Sequence, residues 1–295
     1  MELLKFIETI RTPFLDTVFG LVTRFGEQEI AILLFCIIYW CINKRMAYGI
    51  GIAFFLSGIT VQGLKVIFRI DRPWILDPSL NPVPSALKHA TGYSFPSGHT
   101  QCAASVFGSL GTLIKQKHIK ITCLLLVFLV AFSRLYLGVH TLLDVTTSIL
   151  LSILFILLAV KLSKFEPTNK KRELFIFLCM TGFAILVIAA GSVLYSKNII
   201  EQEYLSDLLK AAGAAIGFAA GMYIERIYIG FSVRSKNILL QIIKFIIGFA
   251  GVYAILSGLK IIMGAGLAVD TIRYILLMLW MTSLYPLIIK RFFAL

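Results

Sequence analysis

The chain has 295 residues, of which 59% are hydrophobic and only 15% are charged. Soluble domains carry about 25% charged residues, so this composition excludes an ordinary soluble protein and predicts an integral membrane protein. The formal net charge is +13, but basic residues beside anionic lipid headgroups account for most of it, and no nucleic-acid partner is expected.

The N-terminal residues 1–26 predict an amphipathic helix that lies at the membrane interface. Apolar residues recur there at helical spacing around Lys5, Arg11 and Arg24, which is typical of a helix that rests on a bilayer. Glu2 and Glu8 replace the basic start of a signal peptide, and no small-residue cleavage site follows. A removable signal peptide is therefore not expected.

Nine further segments are apolar over about the 20 residues that a helix needs to cross a bilayer. Their predicted bounds are 27–42, 47–68, 98–114, 119–138, 141–163, 174–195, 208–229, 238–262 and 271–289. The predicted fold is an all-α polytopic membrane helix bundle of about nine transmembrane helices plus the interfacial helix. Between the second and third spans lies a long polar loop, residues 69–97, and loops of this length are usually functional.

The distribution of Lys and Arg predicts the orientation, because cytoplasmic loops hold the excess of basic residues. If the long loop faces outside, 16 of the 28 basic residues fall inside and 12 outside. Four of those 12, namely Lys65, Arg69, Arg72 and Arg134, lie beside candidate chemical residues. Without these four, 16 basic residues lie inside and 8 outside. We therefore expect a cell-membrane protein with its N-terminus outside and its C-terminus in the cytoplasm.

The first of three stretches that share the outer side is KVIFRIDRP, residues 65–73. Lys65, Arg69 and Arg72 are spaced four and three apart, which predicts one cationic helix face that Pro73 ends. Three cations on one face repel one another unless an anion lies between them. The alternative is that these side chains extend to lipid headgroups, as basic residues near span ends often do.

The second stretch is PSGH, residues 96–99, at the start of the third predicted span. Backbone N–H groups at a helix N-terminus bind phosphate, and Gly98 would let the backbone approach an anion closely. His99 would face the same space. For Ser97 alone, a plain helix N-cap is the competing interpretation.

The third stretch, SRLYLGVHTLLD, covers residues 133–144. His140 and Asp144 are four apart at a helix start, so the carboxylate can hydrogen-bond one imidazole nitrogen and leave the other as a nucleophile. Such a pair also occurs as a purely structural hydrogen bond. Arg134 adds a planar set of donors suited to phosphate oxygens.

Together these stretches contain K-x6-R-P, P-S-G-H and S-R-x5-H-x3-D, in that order and without substitution. This pattern resembles the type 2 phosphatidic acid phosphatase (PAP2) superfamily of membrane lipid phosphatases, and the resemblance covers roughly residues 27–165. The predicted domains are therefore an interfacial helix (1–26), a PAP2-like catalytic transmembrane core (27–165) and an additional four-helix transmembrane region of unknown role (166–295).

The resemblance implies a role for each motif residue. His140 would attack phosphorus and form a phosphohistidine, Asp144 would orient it, and His99 would protonate the leaving oxygen and later activate water. The residues implied to hold the phosphate oxygens are Lys65, Arg72, Ser97, Gly98 and Arg134. No cofactor and no metal is expected, since Asp71 and Asp77 are the only other carboxylates near the loop.

The predicted function is a membrane phosphatase for a phospholipid or polyprenyl phosphate at the outer face, with polyprenyl diphosphate, phosphatidic acid and phosphatidylglycerophosphate as candidates. A lipid phosphotransferase and a non-enzymatic transporter with a phosphate-binding site are the alternatives. The pairing of His140 with Asp144 counts against a transporter, because phosphate binding alone does not need it. In the region after 165, Gly213, Gly217 and Gly221 predict close helix packing within the bundle rather than a dimer interface.

Overall fold

The computed structural model describes residues 1–88, 90–163, 169–264 and 266–293, and no strand occurs among them. Its α-helices are α1 (Glu2–Thr9), α2 (Pro13–Val22), α3 (Gln28–Ile37), α4 (Lys44–Phe68), α5 (Pro73–Leu76), α6 (Pro84–Leu87), α7 (Gly98–Ala103), α8 (Ser109–Leu113), α9 (Lys117–Tyr136), α10 (Leu142–Ser163), α11 (Lys170–Ser196), α12 (Gln202–Ile224), α13 (Ile238–Tyr253), α14 (Leu259–Met263), α15 (Leu267–Leu279) and α16 (Tyr285–Phe292). A 3-10 turn covers Thr23–Gly26, and π-helical turns cover Ile38–Ile42, Ala104–Gly108, Glu225–Ile229, Ala254–Gly258 and Trp280–Leu284.

The chain is an all-α, multi-pass membrane protein. Among the described residues, seven helices are long and apolar enough to cross a membrane, or eight if the bent pair Pro13–Gly26 and Gln28–Ile42 forms one span. The expected count of nine is not confirmed, because the helical runs at Gln28–Ile42 and 98–113 are short. At 1.5 Å per residue they extend only about 23 and 24 Å, against a hydrocarbon core of roughly 30 Å.

The N-terminal segment forms two helices and a turn, so the single helix expected over residues 1–26 is wrong. α1 ends at Thr9, and α2 begins at Pro13 after an N-cap at Thr12, whose side chain accepts the Leu15 N–H at 3.3 Å. Proline lacks an N–H and is suited to the first turn of a helix. The proline therefore starts a second helix at the point where the first one stops.

The contacts within the chain divide it into two compact units, which we call the N-terminal unit (Met1–Ile32 with Ile52–Val160) and the C-terminal unit (Leu33–Gly51 with Lys161–Leu295). The domain boundary predicted between residues 165 and 166 lies outside the described residues.

The core of the N-terminal unit joins α1, the long polar loop and the C-terminal part of α9. Its buried side chains are Leu4, Ile7, Leu80, Val83, Ala86, Ala90, Ala131, Leu135, Tyr136, Leu137, Val139 and Val145. Polar contacts support it: Arg11 donates to the Tyr136 carbonyl at 2.7 Å, and Asn81 donates to Glu8 at 2.9 Å. This packing holds the loop against the end of the helix that carries Arg134.

In the C-terminal unit, α12 packs closely against α15. A methyl group added to Gly213 would lie 2.8 Å from the Thr271 carbonyl oxygen, and one added to Gly217 would lie 2.5 Å from the Ile275 carbonyl oxygen. A methyl group added to Gly221 would overlap the Thr282 hydroxyl. The predicted glycine contact within the bundle is therefore confirmed.

Candidate active site

Arg72 connects the long loop to the third motif. Its side chain is buried, and its guanidinium donates to the carbonyls of Gly92 at 2.9 Å, Thr91 at 2.5 Å and Val139 at 3.0 Å. Because these carbonyls come from two separate segments, Arg72 fixes the loop relative to the residue that precedes His140.

The prediction of one helical face that carries three cations is wrong. α4 ends at Phe68, and Arg69 has a φ of 51°, which takes it out of the helix. Arg72 precedes a proline and is extended, as the proline ring requires. Arg69 is exposed and donates to the Val66 carbonyl of its own helix, whereas Lys65 donates to the Tyr93 carbonyl in the loop.

The second motif lies at the start of α7. Ser97 is the N-cap, its Oγ accepts from the Thr100 N–H at 3.4 Å, and its own N–H donates to the Asp144 carbonyl at 3.2 Å. The N-cap interpretation of Ser97 thus describes the observed contact, and its share in phosphate binding stays a prediction. A methyl group on Gly98 would meet no atom within 4 Å, so open space adjoins this helix start.

Arg134, from the last turn of α9, is 1% exposed. Its Nη1 donates to the Thr23 hydroxyl at 2.7 Å. Its Nε and Nη2 are buried and have no hydrogen-bond partner among the described residues. Buried donors without partners cost free energy, and a bound anion would satisfy both.

His140 lies between α9 and α10 and is 1% exposed. Arg72 Nη1 lies 2.9 Å from its Nε2, and the Asp144 carboxylate lies 3.3 Å from its Nδ1. Arginine can only donate hydrogen bonds, so Nε2 must carry the lone pair and Nδ1 the hydrogen. These contacts fit the neutral tautomer with the hydrogen on Nδ1 and the lone pair on Nε2.

Ser94 also lies at this site, although none of the three motif stretches includes it. It is fully buried, its hydroxyl donates to Asp144 Oδ2 at 2.6 Å, and it lies 3.4 Å from His140 Nδ1. The Thr141 N–H donates to the same oxygen at 2.8 Å. Two hydrogen bonds thus orient the carboxylate toward His140. The only sequence signal is the proximity of Ser94 to PSGH, which alone predicts no such contact.

Electrostatics favours the neutral imidazole. The pKa of His140 lies well below its ordinary value of 6.5, first because burial disfavours the charged form and then because of nearby positive charge. The groups that contribute that charge are Arg72, Arg134, Lys65 and His99. The structure thus brings residues of all three motifs together around His140. Within the described part of the chain, no group of three His, Cys, Asp or Glu side chains could hold a metal ion.

Comparison with known proteins gives two family matches. Residues 46–167 match the PAP2 superfamily, and residues 209–294 match the PAP2 superfamily phosphatase transmembrane extension. The second match assigns a family to a region for which the sequence analysis found no role. The first match begins at residue 46, later than the expected 27.

Individual relatives agree with this result. Phosphatidylglycerophosphatase B of Bacillus subtilis is 30% identical over 165 residues, which cover 50% of this chain and 75% of that protein. A probable sphingosine-1-phosphate phosphatase of Dictyostelium discoideum is 30% identical over 61% of this chain, which spans only 47% of that protein's length.

Among solved structures, Aquifex aeolicus LpxE is 30% identical, with a TM-score of 0.49, over 54% of this chain and 93% of that chain. From the two family matches and the extent of the phosphatidylglycerophosphatase B match, the chain belongs to the PAP2 superfamily.

Proposed function

We propose that this protein is a membrane lipid phosphatase that removes phosphate through a phosphohistidine at His140. The observation that carries the proposal is the His140 geometry: its Nδ1 faces Asp144, and its Nε2 lone pair faces a cluster of buried cations. A neutral imidazole held beside positive charge can attack a phosphoryl group, whose negative charge the cations stabilise.

In the first step, His140 Nε2 attacks phosphorus and the bond to the leaving oxygen breaks. Arg72 exchanges its hydrogen bond with Nε2 for one with a phosphoryl oxygen, while Arg134 offers Nε and Nη2. His99 gives its proton to the departing oxygen. The imidazole becomes cationic as it forms the N–P bond, and Asp144 stabilises that charge.

In the second step, water attacks the phosphohistidine. His99, now neutral, takes a proton from the water as the P–N bond breaks. Inorganic phosphate leaves, and His140 returns to its neutral form. No metal or cofactor enters either step.

The proposed substrate is a lipid phosphomonoester or diphosphate. The two relatives, phosphatidylglycerophosphatase B and a probable sphingosine-1-phosphate phosphatase, are named for substrates that are lipid phosphomonoesters. A polyprenyl diphosphate, phosphatidic acid and phosphatidylglycerophosphate are the candidates for this chain.

Phosphate release by the purified full chain in detergent tests the proposal directly. The panel would contain phosphatidic acid, phosphatidylglycerophosphate, sphingosine-1-phosphate and a polyprenyl diphosphate, each with EDTA present. We expect release from at least one lipid, loss of release in His140→Ala and normal release in His118→Ala, a matched variant at an exposed histidine. Phosphate binding without release from any lipid would favour the transporter instead.

We further propose that the active site faces the outside of the cell, which the bias of basic residues toward the other side supports. Ser85 and Gln116 are both exposed and lie in loops predicted on opposite sides. In a background without the exposed Cys179, we expect Ser85→Cys to react with an impermeant thiol reagent in intact cells and Gln116→Cys not to react. The reverse pattern would place the site in the cytoplasm.

A further inference from the structure

The 3-10 turn Thr23–Gly26 lies before residue 46, where the PAP2 superfamily match begins. It nevertheless contacts two motif residues of the proposed site. Thr23 contacts Arg134, which is 111 residues later in the chain, and Gly26 packs against His99. No short-range pattern in the sequence connects these positions.

The Thr23 contact holds one end of the Arg134 guanidinium. Both side chains are buried, and the hydroxyl oxygen accepts the Nη1 hydrogen at 2.7 Å. With Nη1 engaged by Thr23, the donors without a partner among the described residues are Nε and Nη2. These two atoms lie on one edge of the planar group, and that edge can bind two oxygens of a phosphate.

The Gly26 contact limits the position of His99. A methyl group at residue 26 would lie 2.6 Å from the His99 carbonyl oxygen, 2.9 Å from its Cβ and 3.0 Å from Val130. The carbonyl belongs to the backbone at the start of α7 and cannot move away cheaply. A larger residue at position 26 would therefore displace His99.

We infer that the turn Thr23–Gly26 is a positioning element of the active site: Thr23 aims the Nε and Nη2 edge of Arg134 at the phosphoryl group, and Gly26 sets the place of His99. This inference rests on the proposed function. The experiments that test it measure phosphate binding as well as turnover, so that the inference and the proposed function can fail separately.

Thr23→Val keeps the shape of the side chain and removes the hydroxyl. Loss of a buried hydrogen bond to a charged group should lower kcat/KM by about 10-fold, because Arg134 is no longer aimed. Thr23→Ser restores an acceptor and should restore activity. Thr17→Val, at an exposed threonine in α2, is the matched control and should behave as wild type.

Binding of inorganic phosphate provides the readout that does not depend on turnover. The shift in thermal midpoint with phosphate concentration would be measured against each variant's own phosphate-free midpoint, so a general loss of stability does not imitate weaker binding. We expect Thr23→Val to need about 10-fold more phosphate for half of the shift, and Thr23→Ser to match wild type.

Gly26→Ala tests the second contact, and Gly20→Ala in α2 is its control, because a methyl group there would meet no atom within 4 Å. Gly26→Ala should lower kcat/KM more on a lipid monophosphate than on an aryl phosphate, whose leaving group needs no proton from His99. Gly20→Ala should leave both activities unchanged.

Unchanged phosphate affinity in Thr23→Val, or a loss that Thr23→Ser does not restore, would overturn the role of Thr23. An equal loss on both substrates in Gly26→Ala would overturn the role of Gly26. If the wild type releases phosphate from no lipid, the proposed function fails, while the phosphate-binding comparison still decides whether Thr23 aims Arg134.

Discussion

The two units of the molecule partner their buried carboxylates differently. In the C-terminal unit each buried carboxylate meets a cation: Glu225 accepts from Lys44 at 2.8 Å, and Glu173 lies 2.9 Å from Arg226 Nε. In the N-terminal unit the buried Asp144 carboxylate instead accepts from the Ser94 hydroxyl and the Thr141 N–H and lies beside the His140 imidazole. There, Lys65 and Arg72 donate to backbone carbonyls.

We interpret this difference as one between charges that stabilise the fold and charges that take part in the reaction. In a buried ion pair the two charges balance each other. Removing one partner leaves an isolated buried charge, which costs folding free energy. The positive groups that act on His140 include Arg72, Arg134 and Lys65, and the single negative charge of the contacting Asp144 does not balance all three. We therefore expect substitutions in the N-terminal unit to change chemistry, and substitutions of the C-terminal pairs to change stability.

The largest effect is expected at the nucleophile. His140→Ala should lower turnover by about 10⁴-fold or more, because no other group can form the phosphoenzyme. Inorganic phosphate should still bind, since the cations remain. Asp144→Asn should keep a small residual activity, because the imidazole is present but poorly oriented. Phosphate release at the wild-type rate by His140→Ala would exclude the mechanism.

His99 should give a smaller effect that depends on the substrate. A general acid contributes about 10²–10⁴-fold, and it matters most when the leaving group is a lipid alcohol. His99→Ala should therefore lose far more activity on a lipid monophosphate than on an aryl phosphate, as measured by kcat/KM for both. Equal losses would leave His99 with a binding or structural role only.

In the C-terminal unit, Glu173→Gln should destabilise the protein by about 3 kcal/mol, because Arg226 would remain buried without its carboxylate. The double variant Glu173→Gln with Arg226→Met should recover part of that loss. Thermal unfolding in detergent measures both variants. Phosphate affinity below the unfolding temperature should stay unchanged, and a loss of affinity there would contradict the separation between the units.

The pH dependence should show the smallest effect. Burial and the neighbouring cations lower the pKa of His140. The fall of kcat/KM at low pH that comes from protonation of His140, the acid limb of the profile, should therefore lie below pH 6.5. Arg72→Gln removes one of those cations, raises the pKa of His140 and should move the limb to higher pH. The ionisation of the substrate is common to both proteins, so an unmoved limb would show that Arg72 does not act on His140.

Local sequence patterns were sufficient to predict many of the long helices and many of the residues around His140. The apolar period predicted the long helices, and the span expected at 238–262 coincides with the observed one. The three motifs predicted which residues would meet around His140. The expected span at 98–114 is not confirmed, because apolar content alone does not show how much of the bilayer the short helical run at 98–113 crosses.

Contacts between distant segments could not be predicted in this way. Ser94 and Thr23 are ordinary hydroxyl residues in their local context, and their contacts with Asp144 and Arg134 exist only after the chain folds. Arg69 shows the opposite case, since its spacing favoured a shared helix face, whereas its left-handed backbone takes it out of the helix.

Direct capture of the phosphoenzyme tests the central claim most closely. His99→Ala with a ³²P-labelled aryl phosphate should form the N–P bond readily and hydrolyse it slowly, so the intermediate should accumulate. After an alkaline quench, which preserves phosphohistidine, we expect label on the peptide that contains His140 and none when His140 is also replaced by Ala. Label on a peptide without His140 would contradict the account.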